Sequence, residues 1–194
     1  MYNISKIEDA VQGYVCITVS GEGECRRYTV RSSVYEELGM PHKGAVIDED
    51  ALYALTLADE YYRAKRAALS ILSFGDNNER TLHTKLRTRG ISDEVATDVV
   101  HEMVSLGYID EARQLERLIT EAANRKLHGP RKIVPHLMSK GYRLSDIKAT
   151  LFSLCESGEI DFQKNKESVL NKHLGDSRDR EQVKKLLYKY GYDC

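Results

Sequence analysis

Apolar positions are spaced in two ways along this chain. Early on they fall in short β-branched runs. Tyr14-Val15-Cys16-Ile17-Thr18-Val19 is one, a flexible Ser20-Gly21-Glu22-Gly23-Glu24 follows, and Arg26-Arg27-Tyr28-Thr29-Val30 is the second. The pair reads as a β-hairpin with a turn longer than the tightest type. A short helix over Ser33–Leu38 then closes at Gly39, with Pro41 just beyond. From residue 50 onward the spacing is helical. A long helix spans about 50–73, favoured at its start by the acidic Asp48-Glu49-Asp50 and broken by Gly75-Asp76-Asn77-Asn78. Asp76 with Glu79, or Asn78 itself, caps the next helix, which carries Leu82 and Leu86 one turn apart and ends at Gly90. Ser92 caps a third helix, with Val95, Val99 and Met103 inward, that ends at Gly107.

The plan then recurs. Asp110 opens a helix to about Leu127 with Leu115, Leu118, Ile119 and Ala122 as its buried stripe. Gly129-Pro130 punctuates the chain, and Pro135, five residues on, predicts a kinked or late-starting helix. Leu144, Asp161 and Arg178 open the remaining helices, the last of them running to Tyr190. One phrase is spoken three times. Leu82-His83-Thr84-Lys85-Leu86-Arg87-Thr88-Arg89-Gly90 returns as Ile133-Val134-Pro135-His136-Leu137-Met138-Ser139-Lys140-Gly141 and as Val183-Lys184-Lys185-Leu186-Leu187-Tyr188-Lys189-Tyr190-Gly191. The closing glycines stand 51 and then 50 residues apart, and Gly107-Tyr108-Ile109-Asp110 is matched by Gly158-Glu159-Ile160-Asp161 at the same interval. A fixed period of this length signals a repeat architecture. The expected fold is mainly α: tandem three-helix, helix-turn-helix-like repeats in an elongated array, with a small N-terminal β-hairpin unit. The expected divisions are a β-containing unit over 1–48, a first repeat over 49–108, a second over 109–158 and a third over 159–194 that lacks its last helix.

Composition narrows the function. The chain has 194 residues, 41% of them apolar and 30% charged, which suits small helical units with much exposed surface. No apolar run is long enough to span a bilayer, and the N-terminus has no secretory pattern, so a cytoplasmic protein is expected. Cys16, Cys25, Cys155 and Cys194 are scattered, which suggests free thiols rather than a disulfide framework or a zinc site. The net charge of −1 is uneven. Residues 1–60 hold 5 Lys+Arg against 11 Asp+Glu, whereas residues 61–194 hold 24 against 19. The repeat region is mildly basic, which permits contact with nucleic acid without demanding it.

No catalytic constellation stands out: there is no phosphate-binding glycine loop, no nucleophile elbow and no zinc-protease pair. The six histidines are dispersed, and no metal or cofactor is expected. The candidates are basic clusters. Lys85, Arg87 and Arg89 surround the first repeated glycine, Arg125, Lys126, Arg131 and Lys132 bracket Gly129-Pro130, Lys140 precedes the second repeated glycine, and Lys184, Lys185 and Lys189 lie in the last helix. Solvated helix faces and helix-end charges explain many such residues individually; the alternative is an electrostatic track for DNA phosphates or an acidic protein groove. Tyr108, Tyr142 and Tyr192, each at a turn, are expected to pack. No helix is rich enough in Arg, Asn and Gln to read bases in the way a recognition helix does.

The chain resembles the RecX family. Ala67-Ala68-Leu69-Ser70-Ile71-Leu72-Ser73, the Leu82-x3-Leu86-x3-Gly90 helix, the Gly107-Tyr108-Ile109-Asp110-Glu111 turn and Lys126-Leu127-His128-Gly129-Pro130-Arg131-Lys132-Ile133 carry the likeness, over about residues 50–192. The resemblance implies tandem three-helix repeats and a non-enzymatic regulator that binds the groove of the RecA–single-stranded DNA filament, acts as a monomer and restrains ATP hydrolysis and strand exchange in DNA repair, recombination and the SOS response. The alternative is a nucleic-acid-binding helical module that acts independently of RecA.

Overall fold

The computed structural model describes residues 2–11, 13–21, 23–175 and 179–193. The N-terminal part is a four-stranded antiparallel sheet rather than a lone hairpin. Its strands are β1 (Tyr2–Asp9), β2 (Tyr14–Gly21), β3 (Glu24–Arg31) and β4 (Val46–Ile47), in the order β3-β2-β1-β4. The expected hairpin is β2–β3, and its turn is shorter than expected. Gly21 pairs directly with Glu24, which leaves two residues in the connection, and Gly23 takes a φ of +83°. The first strand escapes a period-two reading because it is bulged. Ile4 faces Val19 and Lys6 faces Thr18, so one extra residue shifts the phase between Ile4 and Ile7.

After α1 (Ser32–Glu37) the helices are α2 (Glu49–Ser73), α3 (Glu79–Arg87), α4 (Asp93–Ser105), α5 (Glu111–Thr120), α6 (Pro130–Ser139), α7 (Leu144–Glu156), α8 (Phe162–Leu174) and α9 (Arg180–Tyr190). The expected helix start at Arg178 lies outside the described residues. Asp48, Asn78, Asp110 and Asp161 each accept a backbone N–H from the first turn of the helix they precede, as capping requires. Ser92 is an exception. It occupies the capping position of α4, but its hydroxyl accepts nothing there, and its own N–H goes to the carboxylate of Glu60 instead. The helix from Asp110 does not run on as α to Leu127. It loosens into a π turn over Glu121–Arg125, and Leu127 leaves with a φ of +54°. Pro135 does not make its helix start late: α6 starts at Pro130, where a missing N–H matters least, and runs through Pro135 to Ser139.

Contacts divide the chain into two compact units, residues 1–75 with 82–106, and residues 76–81 with 107–194. In the first, Ile4, Ile17, Val19, Tyr28, Val30 and Ile47 of the sheet bury themselves with Leu55 of α2. The edge strand β3 has a backbone N–H, that of Thr29, satisfied by Asp59 of α2 at 2.9 Å. Glu102 of α4 draws three elements together, accepting from Arg31 at 3.1 Å, Lys65 at 2.7 Å and the Tyr61 hydroxyl at 2.7 Å. Burial alone would push this carboxyl up. The bonds from Lys65 and Tyr61 and the nearby cations outweigh burial and hold it below the usual carboxylate range. Tyr61 in turn is pushed up to about 12, by burial first and by its bond to Glu102 next.

In the second unit, Leu115, Ile119, Ile133, Leu137, Ile147, Leu151, Leu154 and Ile160 form one core, and Val169, Leu170, Leu187 and Tyr192 a smaller one. The period of the sequence has a physical cause here. The start of one repeat's helix docks on the glycine that closes the next copy of the phrase. Asn78 donates to the Lys140 carbonyl at 2.9 Å, beside Gly141. In the following repeat Gly129 N–H donates to the Tyr190 carbonyl at 2.8 Å, and Arg131 N–H to the Gly191 carbonyl at 3.1 Å. At this second junction the backbones nearly touch. A Cβ on Gly129 would lie 2.3 Å from the Gly191 carbonyl oxygen, and one on Gly191 would lie 2.7 Å from the Lys132 nitrogen. Gln114 and Asn165, also one repeat apart, are buried amides that each donate to a main-chain carbonyl, those of Asn77 and Ala123.

Two consequences can be measured. Gly129 has an ordinary φ of −83°, so Gly129→Ala adds only the clash and is expected to cost about 2–3 kcal/mol in urea unfolding. Gly158→Ala, where the added carbon meets nothing within 4 Å, should cost about 1 kcal/mol from its positive φ alone; equal losses at the two sites would contradict the docking. Glu102→Gln is expected to cost about 2 kcal/mol at neutral pH. A carboxyl held low in the folded state stabilises it above the unfolded pKa of about 4.3 and loses that contribution as pH falls through the folded value. The gap between wild type and variant should therefore narrow below about pH 4, and parallel stability curves would show that the charge of Glu102 contributes nothing.

Candidate interaction surface

The first basic cluster is tied to its own turn and to α2. Arg87 donates to the Ile91 carbonyl and lies 3.4 Å from Asp93, which fixes the step from α3 to α4. Arg89 reaches the Ala67 carbonyl at 3.4 Å, and Lys85 is engaged as well. Cations in the last turn of α3 also complement the helix dipole. These side chains are exposed, but Arg87 and Arg89 are held to main-chain carbonyls.

The second cluster is assembled by the glycine junction. Docking Gly129 on Gly191 brings the first turn of α6 against the last turn of α9. Arg131 meets Asp193 at 2.9 Å and lies 5.9 Å from the Tyr188 ring, while Lys132 reaches the Lys189 carbonyl at 3.4 Å and lies 5.9 Å from the Tyr190 ring. Lys185 sits one turn before Lys189 and pairs with Glu181 at 3.4 Å, and Lys184 has a partner of its own. Tyr188 is 72% exposed, with the Arg131 guanidinium beside its ring. Lys126 pairs with Glu121 at 3.0 Å. Arg125, Lys140 and Lys189 carry no side-chain ion pair among the described residues. His128, packed edge-on to Tyr190, reports the local potential: burial lowers its pKa first, and the charges of Lys132 and Lys126 lower it further.

A groove of about 950 Å³ runs beside α5 and the π turn. Tyr108, Arg113, Arg117, Asn124 and Arg125 line it, with Asp76 holding Arg117 at 2.6 Å. Arg113 and Arg117 were not among the candidates. Their signal was in the sequence, because they lie one turn apart on α5 and off the Leu115–Ile119 stripe. Tyr108 does not pack as expected but stands 55% exposed at the groove, while Tyr142 and Tyr192 are buried, Tyr142 donating to Gln114 at 2.8 Å. Among the described residues no group of three His, Cys, Asp or Glu side chains could hold a metal ion, and no helix is long and apolar enough to cross a membrane. Cys16, Cys25 and Cys155 are free thiols, and Cys194 lies outside the described residues.

The elements define a mainly helical protein with an N-terminal four-stranded antiparallel sheet. No model of a known protein family matches the chain. It is 30% identical to the regulatory protein RecX of Ectopseudomonas mendocina over 140 residues, 70% of this chain and 91% of that one. It is 27% identical to the regulatory protein RecX of Clostridium acetobutylicum over 151 residues, 76% of this chain and 70% of that one. A crystal structure of a regulatory protein RecX superposes with a TM-score of 0.72 at 22% identity, covering 100% of this chain and 95% of that one. The chain belongs to the RecX family.

The two clusters should separate in a stability assay. Arg87→Ala is expected to lower unfolding stability by about 1 kcal/mol through its lost turn bond. Lys189→Ala should stay within about 0.5 kcal/mol of wild type. A neutral Arg87→Ala would return that residue to the pool of free contact groups.

Proposed function

We propose that this protein binds the RecA filament on single-stranded DNA and restrains its ATP hydrolysis and strand exchange, acting as a monomeric, cofactor-free regulator in the cytoplasm. The observation that carries this reading is membership of the RecX family, through a relative matched over most of its own length. We take the helical part as three-helix repeats over 49–108 and 109–158 and a third repeat over 159–194 that lacks its last helix. The surface most suited to the filament is the junction of α6 and α9, where Arg131 lies beside the exposed Tyr188 ring, Lys132 reaches the end of α9, and Lys185 and Lys189 are exposed on that helix. Exposed pairs such as Arg131–Asp193 hold weakly, so they exchange readily for a partner's carboxylates or phosphates.

A second reading has its own support. An exposed tyrosine among cations is the arrangement that binds single-stranded nucleic acid by stacking, with no recombinase involved. Lys85, Arg87 and Arg89 fit either reading less well, since Arg87 bonds within its own turn and Arg89 bonds the backbone of α2.

Purified protein should reduce the DNA-dependent ATPase of RecA at substoichiometric amounts, and no effect even in excess would refute the first reading. Binding to bare single-stranded DNA that is tight and falls steeply with salt would favour the second. Reversing Arg131 and Lys132 to glutamate keeps the backbone bonds of the junction and should weaken filament inhibition about tenfold or more with the fold intact. Undiminished inhibition by that double variant would move the contact surface elsewhere.

A further inference from the structure

The first unit carries a cleft that the RecA reading does not use. It has a volume of about 320 Å³, the low end for a binding pocket and enough for one large side chain. Val34, Ala54, Leu57, Ala58 and Val95 supply an apolar floor from α1, α2 and α4. Three tyrosines form its walls, and they are held in place. Tyr14 packs on Tyr62 at 4.9 Å, and Tyr61 is fixed by its hydroxyl bond to Glu102 and by the Arg31 guanidinium 5.1 Å from its ring centroid. A preformed apolar site loses little on filling, because its walls need no ordering.

The electrostatics of the rim are one-sided. Glu94 and Asp98 stand one helical turn apart on α4, both exposed, and neither has an ion pair or hydrogen-bond partner among the described residues. The next carboxylate along that helix, Glu102, is satisfied by Arg31, Lys65 and Tyr61. Arg31, the one cation among the residues lining the cleft, is turned toward Glu102, which it shares with Lys65, and it stands against the two carboxylates of Glu94 and Asp98. Arg66, which lies 5.8 Å from the centroid of the Tyr62 ring, is not part of the lining. The uncompensated charge at the mouth of the cleft is negative, and residues 1–60 as a whole are acidic, with 5 Lys+Arg against 11 Asp+Glu.

We propose that this cleft docks a segment of a partner protein in which one bulky apolar side chain is flanked by lysine or arginine. The apolar side chain fills the tyrosine-walled floor, and its basic neighbours pair with Glu94 and Asp98. Charge complementarity selects this occupant. A nucleic-acid backbone would meet unpaired carboxylates of its own sign, and a second copy of the chain docking through the same face would set Glu94 and Asp98 against themselves. The inference stands apart from the filament reading, since it involves neither the glycine junction nor the cations around Tyr188.

The test is an NMR titration of the full chain with a capped pentapeptide that has one phenylalanine between two lysines. Shift changes should centre on the residues lining the cleft, with an affinity near 1 mM or better, as a single anchor allows. Replacing the lysines by glutamates, or the phenylalanine by alanine, should each abolish the response. The exposed double substitution Glu94→Gln with Asp98→Asn should weaken binding about tenfold, and it removes no contact of the folded chain. Equal binding of the acidic or the alanine peptide, an unchanged affinity in the double variant, or no shifts at about 5 mM peptide would overturn the proposal. So would concentration-dependent dimerisation that the peptide displaces, since the occupant would then be a second copy.

Discussion

Two glycines 62 residues apart let two stretches of backbone come closer than any side chain permits, and the second unit depends on that approach. With Gly129 against Gly191, the first turn of α6 donates N–H groups to the last carbonyls of α9, so orphan groups at two helix ends satisfy one another. The same contact sets Ile133 in one core and Leu187 in the other, and it buries Tyr192 beside Phe162. A related junction one repeat earlier uses Asn78 and Gly141, with more room and a side-chain amide in place of a backbone N–H. Each junction joins a helix start to a glycine stop 62 or 63 residues further on, and the two junctions recur one sequence interval apart.

Much of this was legible in the sequence because repeated glycines and capping residues act locally. Asp48, Asn78, Asp110 and Asp161 cap the helices they were expected to open, and Leu82, Leu86, Val95, Val99 and Met103 are buried as their spacing implied. Most of what was missed is non-local. β1 is disguised by a bulge, and β4 is two residues long and recognisable only by its partner. The Ser92 position of α4 is correct, but the bond that fixes it comes from Glu60, a helix away. The π turn of Glu121–Arg125 carries no composition that distinguishes it from α-helix.

The candidate cations show the same divide. Sequence places them on helices and turns, and all of them are exposed there. It does not tell Arg87, which locks a turn, from Lys189, whose side chain has no ion pair among the described residues, because the conformation of the turn after α3 decides whether Arg87 meets the Ile91 carbonyl and Asp93. The glycine junction is what converts scattered positive charges into one surface, since it sets Arg131 and Lys132 against the end of α9 that bears Tyr188 and Lys189. Within the repeated phrase the leucines and glycines hold the fold, and of the charged positions between them Arg87 also locks a turn while Lys140 and Lys189 are exposed.

That separation leads to one direct measurement: amide hydrogen exchange of the full chain, alone, with single-stranded DNA, and with RecA assembled on that DNA. The account predicts slowed exchange at residues 125–132 and 184–190 with the RecA filament and little change with DNA alone. No protection at these segments on the filament, or the same protection from bare DNA, would contradict it.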